Sequence, residues 1–336
     1  MSSIFVAWRR LSRRTEDLSR ELGLELIFIR DRPPYAKAFA KTLEILQKKK
    51  PRVVFVQLPQ GPLLAEVVTL SKLLKFRIAA DVHTGFIYTT TFKETLLNKP
   101  FHRYLRSADL VLAHNILEKE LIVKKVRVTE DKVMVVYDPL PTPSQRLTKP
   151  EIDVDFNRAI VLPVSWAPDE PIDRAVEEFL KSRASKEYTL IITGNYKRNP
   201  KLYNKVVEAT KKFEARNNIV LTGFIPDEQY WYLLKNCKLV IVLTNREYTI
   251  PHTMWEAVAV QKPFATVKTR TLEMELGSDY PCMFKQDLSD FSIALNKCVL
   301  EEEFKKTLNI IGVLVTRSRE SIKTLKEFIQ NSIYRL

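Results

Sequence analysis

No stretch of eighteen or more uncharged apolar residues occurs in the 336-residue chain, and a membrane-spanning helix needs about 20. A transmembrane segment is therefore not expected. The first residues, Met1-Ser2-Ser3-Ile4-Phe5-Val6-Ala7-Trp8-Arg9-Arg10, carry no basic segment ahead of their short apolar run, so a signal peptide is not expected either. Cysteine is scarce. Cys237, Cys282 and Cys298 are odd in number, widely spaced and without a metal-ligand pattern, and they read as core thiols of a reducing compartment. These absences together predict a cytoplasmic protein with no metal and no cofactor.

Acidic residues are short in one half only. Residues 1–150 hold 27 Lys and Arg against 15 Asp and Glu, a net of +12, whereas the remainder hold 27 against 25, a net of +2. Such asymmetry suggests a polyanionic partner, either nucleic acid or anionic lipid. No aromatic-basic RNA motif accompanies the charge, so specific nucleic-acid binding is not expected. An anionic membrane surface is favoured, because each basic residue near it contributes on the order of 1 kcal/mol. Thr91–Arg106 fits that surface. There Phe92, Leu96, Leu97, Phe101, Tyr104 and Leu105 interleave with Lys93, Lys99, Arg103 and Arg106. The segment reads either as a basic amphipathic helix at a membrane interface or as a core-facing helix with a solvated basic face.

The length suits two α/β domains of ordinary size. Ile4–Ala7, Leu24–Ile29, Val53–Leu58, Ile78–Val82, Asp109–Ala113 and Val133–Tyr137 read as strands separated by helical patterns. Ala159–Val164, Thr189–Thr193, Ile219–Leu221, Leu239–Leu243 and Phe264–Val267 repeat the plan. Strands alternating with helices predict parallel sheets covered on both faces, with ligands held beyond the strands' carboxyl ends. Three prolines in Asp138-Pro139-Leu140-Pro141-Thr142-Pro143 break the pattern. The predicted organisation is a first domain over 1–140, a linker over 141–157, a second domain over 158–315 and a terminal helix over 316–336.

Chemistry concentrates in the second domain, at Thr244–Lys262. Here an apolar strand, a polar loop and a helical pattern with Met254, Ala257 and Val258 inward follow one another. Pro251 suits a first helical turn, and Thr249 or Thr253 suits a cap. A helix start at a strand end favours phosphate, and Glu247 and Glu256 supply acceptors for sugar and ribose hydroxyls.

This stretch resembles the donor-binding segment of GT-B glycosyltransferases, commonly written E-x7-E followed by A-M-A-x-G-x-P. Glu256-Ala257-Val258-Ala259-Val260-Gln261-Lys262-Pro263 matches the second half. In the first half Tyr248 stands eight before Glu256, with Glu247 one residue further out, and the usual loop glycines are absent. Ser165-Trp166-Ala167-Pro168-Asp169-Glu170 resembles the S-W-x-x-D-E loop of chitobiosyldiphosphodolichol beta-mannosyltransferases. Asp81-Val82-His83-Thr84-Gly85 resembles the strand-end His-Thr that lies near donor sugar and diphosphate in this fold. Ser107–Asn115 resembles its S-A-D-x-V segment. Asp153-Val154-Asp155 imitates the D-x-D metal motif of a different glycosyltransferase fold and reads as coincidence.

The resemblance implies two doubly wound Rossmann-like domains facing a cleft, with the terminal helix crossing back to the first. It implies transfer of a sugar from a nucleoside diphosphate sugar to a hydroxyl of a lipid-linked or glycan acceptor, at the inner face of the cell membrane and without a metal. Ser165, Trp166, Gly194, Asn195, Arg246, Tyr248, His252, Thr253 and Glu256 would contact the donor. Glu247, His83 and Asp81 would take catalytic roles, and Arg9 and Arg10 would meet acceptor or phosphate. The diphosphate cation stays open between Arg246, Lys197 and Arg198. Stereochemistry stays open too, since one motif points to retention and the other to inversion. A nucleotide-sugar epimerase of the same fold and a non-enzymatic basic nucleic-acid or membrane binder are the rival readings.

Overall fold

The computed structural model describes residues 3–89, 91–213 and 218–334. The chain divides into two compact units, Met1–Pro139 with Arg317–Leu336, and Leu140–Thr316.

The first unit is built on a six-stranded parallel sheet. Its strands are β1 (Ser3–Trp8), β2 (Glu25–Ile29), β3 (Val53–Gln57), β4 (Arg77–Asp81), β5 (Leu110–Ala113) and β6 (Val133–Val135), in the order β2-β1-β3-β4-β5-β6. Side chains alternate between faces along a strand, and the core follows that alternation. Ile4, Val6 and Trp8 of β1 join Val54 and Val56 of β3 in one cluster, packed on helices Ala36–Lys49 and Gly61–Leu74. Phe5, Val53 and Phe55 join the other, packed on Leu18 of helix Arg13–Leu22. Ile322, Leu325 and Ile329 of the terminal helix Thr307–Tyr334 complete that second face. Fully burying each of these three side chains contributes about 1.5–3 kcal/mol. Arg335 and Leu336, the end of the predicted helix, lie outside the described residues.

The second unit has its own parallel sheet. Strands β7 (Ala159–Leu162), β8 (Thr189–Thr193), β9 (Ile219–Gly223), β10 (Leu239–Val242), β11 (Phe264–Val267) and β12 (Met283–Phe284) lie in the order β12-β11-β10-β7-β8-β9. In each sheet the order reverses once, between β1 and β3 in the first and between β7 and β10 in the second. Loops leaving two strands in opposite directions open a crevice at that point, where doubly wound sheets bind ligands.

Three expectations need correction. Cys282 and Cys298, read as core thiols, are joined in a disulfide that ties the chain before β12 to helix Phe291–Val299, and Cys237 alone is a buried free thiol. Helix His252–Ala259 begins after Pro251 with no side-chain cap, so neither Thr249 nor Thr253 caps it. Asp227, whose residue type predicts the cap of the helix after β9, is instead the first residue of helix Asp227–Asn236. The segment Thr91–Arg106 combines both of its readings. Helix Phe92–Asn98 leaves Phe92, Leu96 and Leu97 exposed, while Phe101, Tyr104 and Leu105 pack into the core. The Lys93 side chain lies outside what is described. Among the described residues no helix is long and apolar enough to cross a membrane.

Candidate functional site

The reversal point of the second sheet is framed by the loops after β7 and β10, and these two loops are fastened to each other. The Asn245 amide donates to the Asp169 carbonyl at 2.8 Å, and Arg246 Nε lies 3.3 Å from Asp169 Oδ2. Glu170 organises the first loop. Its carboxylate accepts from the Ser165 amide at 3.0 Å, from the Ser165 hydroxyl at 3.1 Å and from the Ala167 amide at 2.8 Å. Burial raises the Glu170 carboxyl, and these donors pull it back only in part. Trp166 is buried, at φ 59°, and its ring nitrogen donates to the Thr193 carbonyl at 3.2 Å. The indole thus pins the loop to the end of β8, against Tyr196 and Tyr203. Gly194 allows this approach, since a Cβ there would lie 1.9 Å from the Val164 carbonyl oxygen. Asn195 caps the turn Tyr196–Arg198 by accepting from the Lys197 amide, and both basic side chains of that turn are exposed.

The loop after β10 carries Glu247, and the helix that follows it carries Glu256. Glu247 Oε1 accepts from the Arg270 amide at 3.2 Å and from Gln286 Nε2 at 2.9 Å. Tyr248 takes φ 62°, with its amide donating to Thr271 Oγ1 at 2.8 Å. Four residues into the helix, Glu256 accepts a hydrogen bond from the Tyr230 hydroxyl and has His252 Nε2 3.8 Å away. Burial, then the Glu256 charge, lifts the Tyr230 hydroxyl far above the usual tyrosine range. Tyr230 therefore stays a donor at all working pH. Thr253 and His252 are half-buried in the same first turn, and Met254, Trp255, Ala257 and Val258 face the core.

In the first unit the reversal point is closed by Gln57 at the end of β3. Gln57 Oε1 accepts from the Ser12 amide at 3.0 Å, and its amide nitrogen donates to the Arg10 carbonyl at 2.8 Å. Arg9 and Arg10 stay exposed, Arg9 at φ 65°. Beside this loop lies a buried polar cluster. Arg14 donates to Asp81 Oδ1 at 3.0 Å, to Asp138 Oδ1 at 2.5 Å and to the Val136 carbonyl at 2.8 Å. One guanidinium thus crosslinks the ends of β4 and β6. His83 Nε2 lies 3.4 Å from Asp81 Oδ2 and 3.4 Å from Ser12 Oγ. His114, at the end of β5, meets the His83 ring edge to face with centroids 5.1 Å apart. Its amide donates to Glu118 Oε2 at 2.7 Å.

Burial alone would raise the Asp81 carboxyl, but Arg14, with His83 and His114, outweighs it and holds Asp81 well below the usual carboxylate range. Burial, reinforced by Arg14, pushes the His114 imidazole down to about 3. Burial pushes Glu118 up to about 8. At neutral pH the cluster therefore holds an ionised Asp81, a neutral His114 and a protonated Glu118.

Residues 166–306 match the family described as glycosyl transferases group 1. The whole chain also superposes on solved structures of that kind. Anabaena Alr3699/HepE in complex with UDP gives a TM-score of 0.73 at 12% identity, covering 100% of each chain. A Rickettsia africae glycosyltransferase gives 0.72 at 12%, covering 100% of this chain and 99% of the other. A UDP-forming α,α-trehalose-phosphate synthase from Burkholderia xenovorans gives 0.69 at 12%, with the same coverage. The chain has the GT-B fold. No curated protein matches it in sequence. The family match runs from the Trp166 loop through the Glu256 helix, so both sides of the second reversal point lie inside it. Sequence reading brought together Asp81 and His83 but missed Arg14, His114, Glu118 and Asp138 as their partners. The only signal for that cluster was position at strand ends, which marks many residues that do nothing chemical.

Proposed function

We propose that this protein is a glycosyltransferase that moves a sugar from a nucleoside diphosphate sugar, a uridine nucleotide in the first instance, to a hydroxyl of a lipid-linked or glycan acceptor. The observation that carries the reading is Glu256. It is a half-buried carboxylate one turn into the helix beyond β10, inside the family-matched stretch, presented by the Tyr230 hydroxyl and His252. A carboxylate so placed accepts hydrogen bonds from the two ribose hydroxyls, and a ribose hydroxyl has to share it with Tyr230. HepE, described in complexes with UDP and with UDP-glucose, supports the choice of nucleotide.

Amides at the start of helix His252–Ala259 and the exposed Arg246 would stabilise negative charge developing on the leaving diphosphate, the largest single effect in such chemistry. Ser165 and Trp166 support this site rather than reach into it, because Glu170 takes the Ser165 amide and hydroxyl and Trp166 is buried. Gly194 and Asn195 shape the same edge, and Glu247, Tyr248 and Thr253 line the loop on the sugar side. In the first unit His83, paired with Asp81, would meet the sugar or the acceptor hydroxyl. Arg9 and Arg10 would meet a phosphate on the acceptor. The basic first half and the exposed Phe92, Leu96 and Leu97 favour action at the cytoplasmic face of an anionic membrane.

The decisive experiment is steady-state kinetics of Glu256→Ala with saturating acceptor. The variant should raise the donor KM at least tenfold or abolish turnover; unchanged donor KM and kcat would remove Glu256 from the donor site.

A further inference from the structure

The cluster at the ends of β4 and β5 holds more unmet coordinating capacity than sugar transfer uses. Asp81, His83 and His114 each offer one ligand atom, and these atoms all lie within 4.8 Å of one another. We propose that the three side chains form a binding site for one divalent transition-metal ion of zinc type. The sequence had pointed to no metal, and the inference stands independently of the donor site.

Two imidazoles with one carboxylate make a donor set suited to borderline divalent ions such as zinc. An ion bonded tetrahedrally at about 2.0–2.1 Å sets its ligand atoms roughly 3.3 Å apart. The edge from His83 Nε2 to Asp81 Oδ2 already measures 3.4 Å. The longest edge closes by about 1.5 Å from its 4.8 Å limit, within reach of side-chain rotation.

The outer partners are arranged to leave the coordinating atoms of Asp81 and His114 available, and among the described residues His83 Nε2 has only the Ser12 hydroxyl, 3.4 Å away, to exchange for an ion. Arg14 binds Asp81 through Oδ1, and Asp81 Oδ2 is buried without a hydrogen bond. His114 turns Nδ1 toward Asp138 Oδ1, 3.9 Å away, and its buried Nε2 makes no hydrogen bond. A carboxylate behind one imidazole nitrogen with the other nitrogen open is the usual support of a metal-bound histidine. Each unsatisfied buried atom is otherwise costly, and one ion satisfies both. Charge permits it as well: Asp81 and Asp138 share a single guanidinium, so an arriving cation meets two carboxylates against one positive group. His83 and His114 keep 22% and 16% of their side-chain surface exposed, which leaves a way in. Three protein ligands leave a fourth position for water or a substrate oxygen.

The test is titration of the chelator-stripped full chain with Co2+ and Zn2+. Co2+ should develop visible ligand-field absorption that saturates at one equivalent and is displaced by Zn2+. His83→Ala and His114→Ala should each weaken Zn2+ binding at least tenfold, while His102→Ala retains it. The chain has four histidines, so ring NMR signals of the wild type give a readout that does not depend on variants folding. Zn2+ should shift His83 and His114 and leave His102 and His252 in place. Failure of the wild type to take up either ion at one equivalent, or shifts confined to His102 and His252, would overturn the proposal.

Discussion

At Gly194 the backbone takes φ 94°, and a Cβ would lie 1.9 Å from the Val164 carbonyl oxygen, a backbone atom that cannot rotate away. Gly194→Ala should therefore cost roughly 2–4 kcal/mol through strain and forced displacement of the Trp166 loop. A thermal melt should show a lower Tm together with a weakened donor KM. Gly312→Ala is the matched contrast, because nothing lies within 4 Å of its new methyl and the site is inside a long helix. There a gain approaching ~1 kcal/mol is expected. Equal melting temperatures for the two variants would refute the role given to Gly194.

Glu66 allows a pH test at the same scale. It lines an apolar groove of about 430 Å³ with Phe39, Leu43 and Leu70, and its Oε2 is buried without a partner. Burial pushes the carboxyl up to about 8 from 4.5. Between those values the unfolded chain has lost the proton that the folded chain keeps, so stability from this group is present below pH ~4.5 and lost as pH rises toward ~8. Glu66→Gln removes that loss. Its Tm relative to wild type should climb from pH 5 to pH 8; parallel curves would contradict the assignment.

At the scale of elements, the alternation of apolar runs with helical patterns made eleven of the twelve strands legible. Most of those runs are buried on a parallel sheet and so are continuously apolar, while the edge strands β2 and β9 stay partly exposed. Strand β12 was not legible because Met283–Phe284 has only two residues and no period to detect. The disulfide was not legible because nothing in the spacing of Cys282 and Cys298 shows that a turn folds one beside the other. Helix Phe92–Asn98 shows why its segment had two readings: the apolar residues divide between solvent and core at Lys99-Pro100-Phe101, where the helix tightens. The exposed part carries the membrane reading. Phe92→Ser with Leu96→Ser should reduce co-sedimentation with vesicles of anionic phospholipid severalfold while leaving binding of a soluble nucleotide unchanged. Undiminished sedimentation would leave the basic surface, not this helix, as the attachment.

For the whole molecule, the doubly wound fold and the two candidate carboxylates of the second unit could be read from local pattern. The order of the strands could not. Only that order shows that the Ser165 loop and the Arg246 loop meet at one reversal point, and that Gln57 closes the other. The buried cluster around Asp81 is assembled from three distant places, Arg14, His114 and Asp138, so no window of sequence contains it. Likewise Ile322, Leu325 and Ile329 cover the same face as Phe5 and Leu18, some three hundred residues earlier in the chain.

The account stands or falls on donor binding by the second unit. Melting temperatures of the wild type and Glu256→Ala should be compared across a panel of nucleoside diphosphates and their sugars, each in large excess. Binding at ~100 times Kd adds about 2.7 kcal/mol to the native state. The account predicts a raised Tm with a uridine nucleotide in the wild type and little or none in Glu256→Ala. No shift with any nucleotide, or an equal shift in the variant, would contradict it.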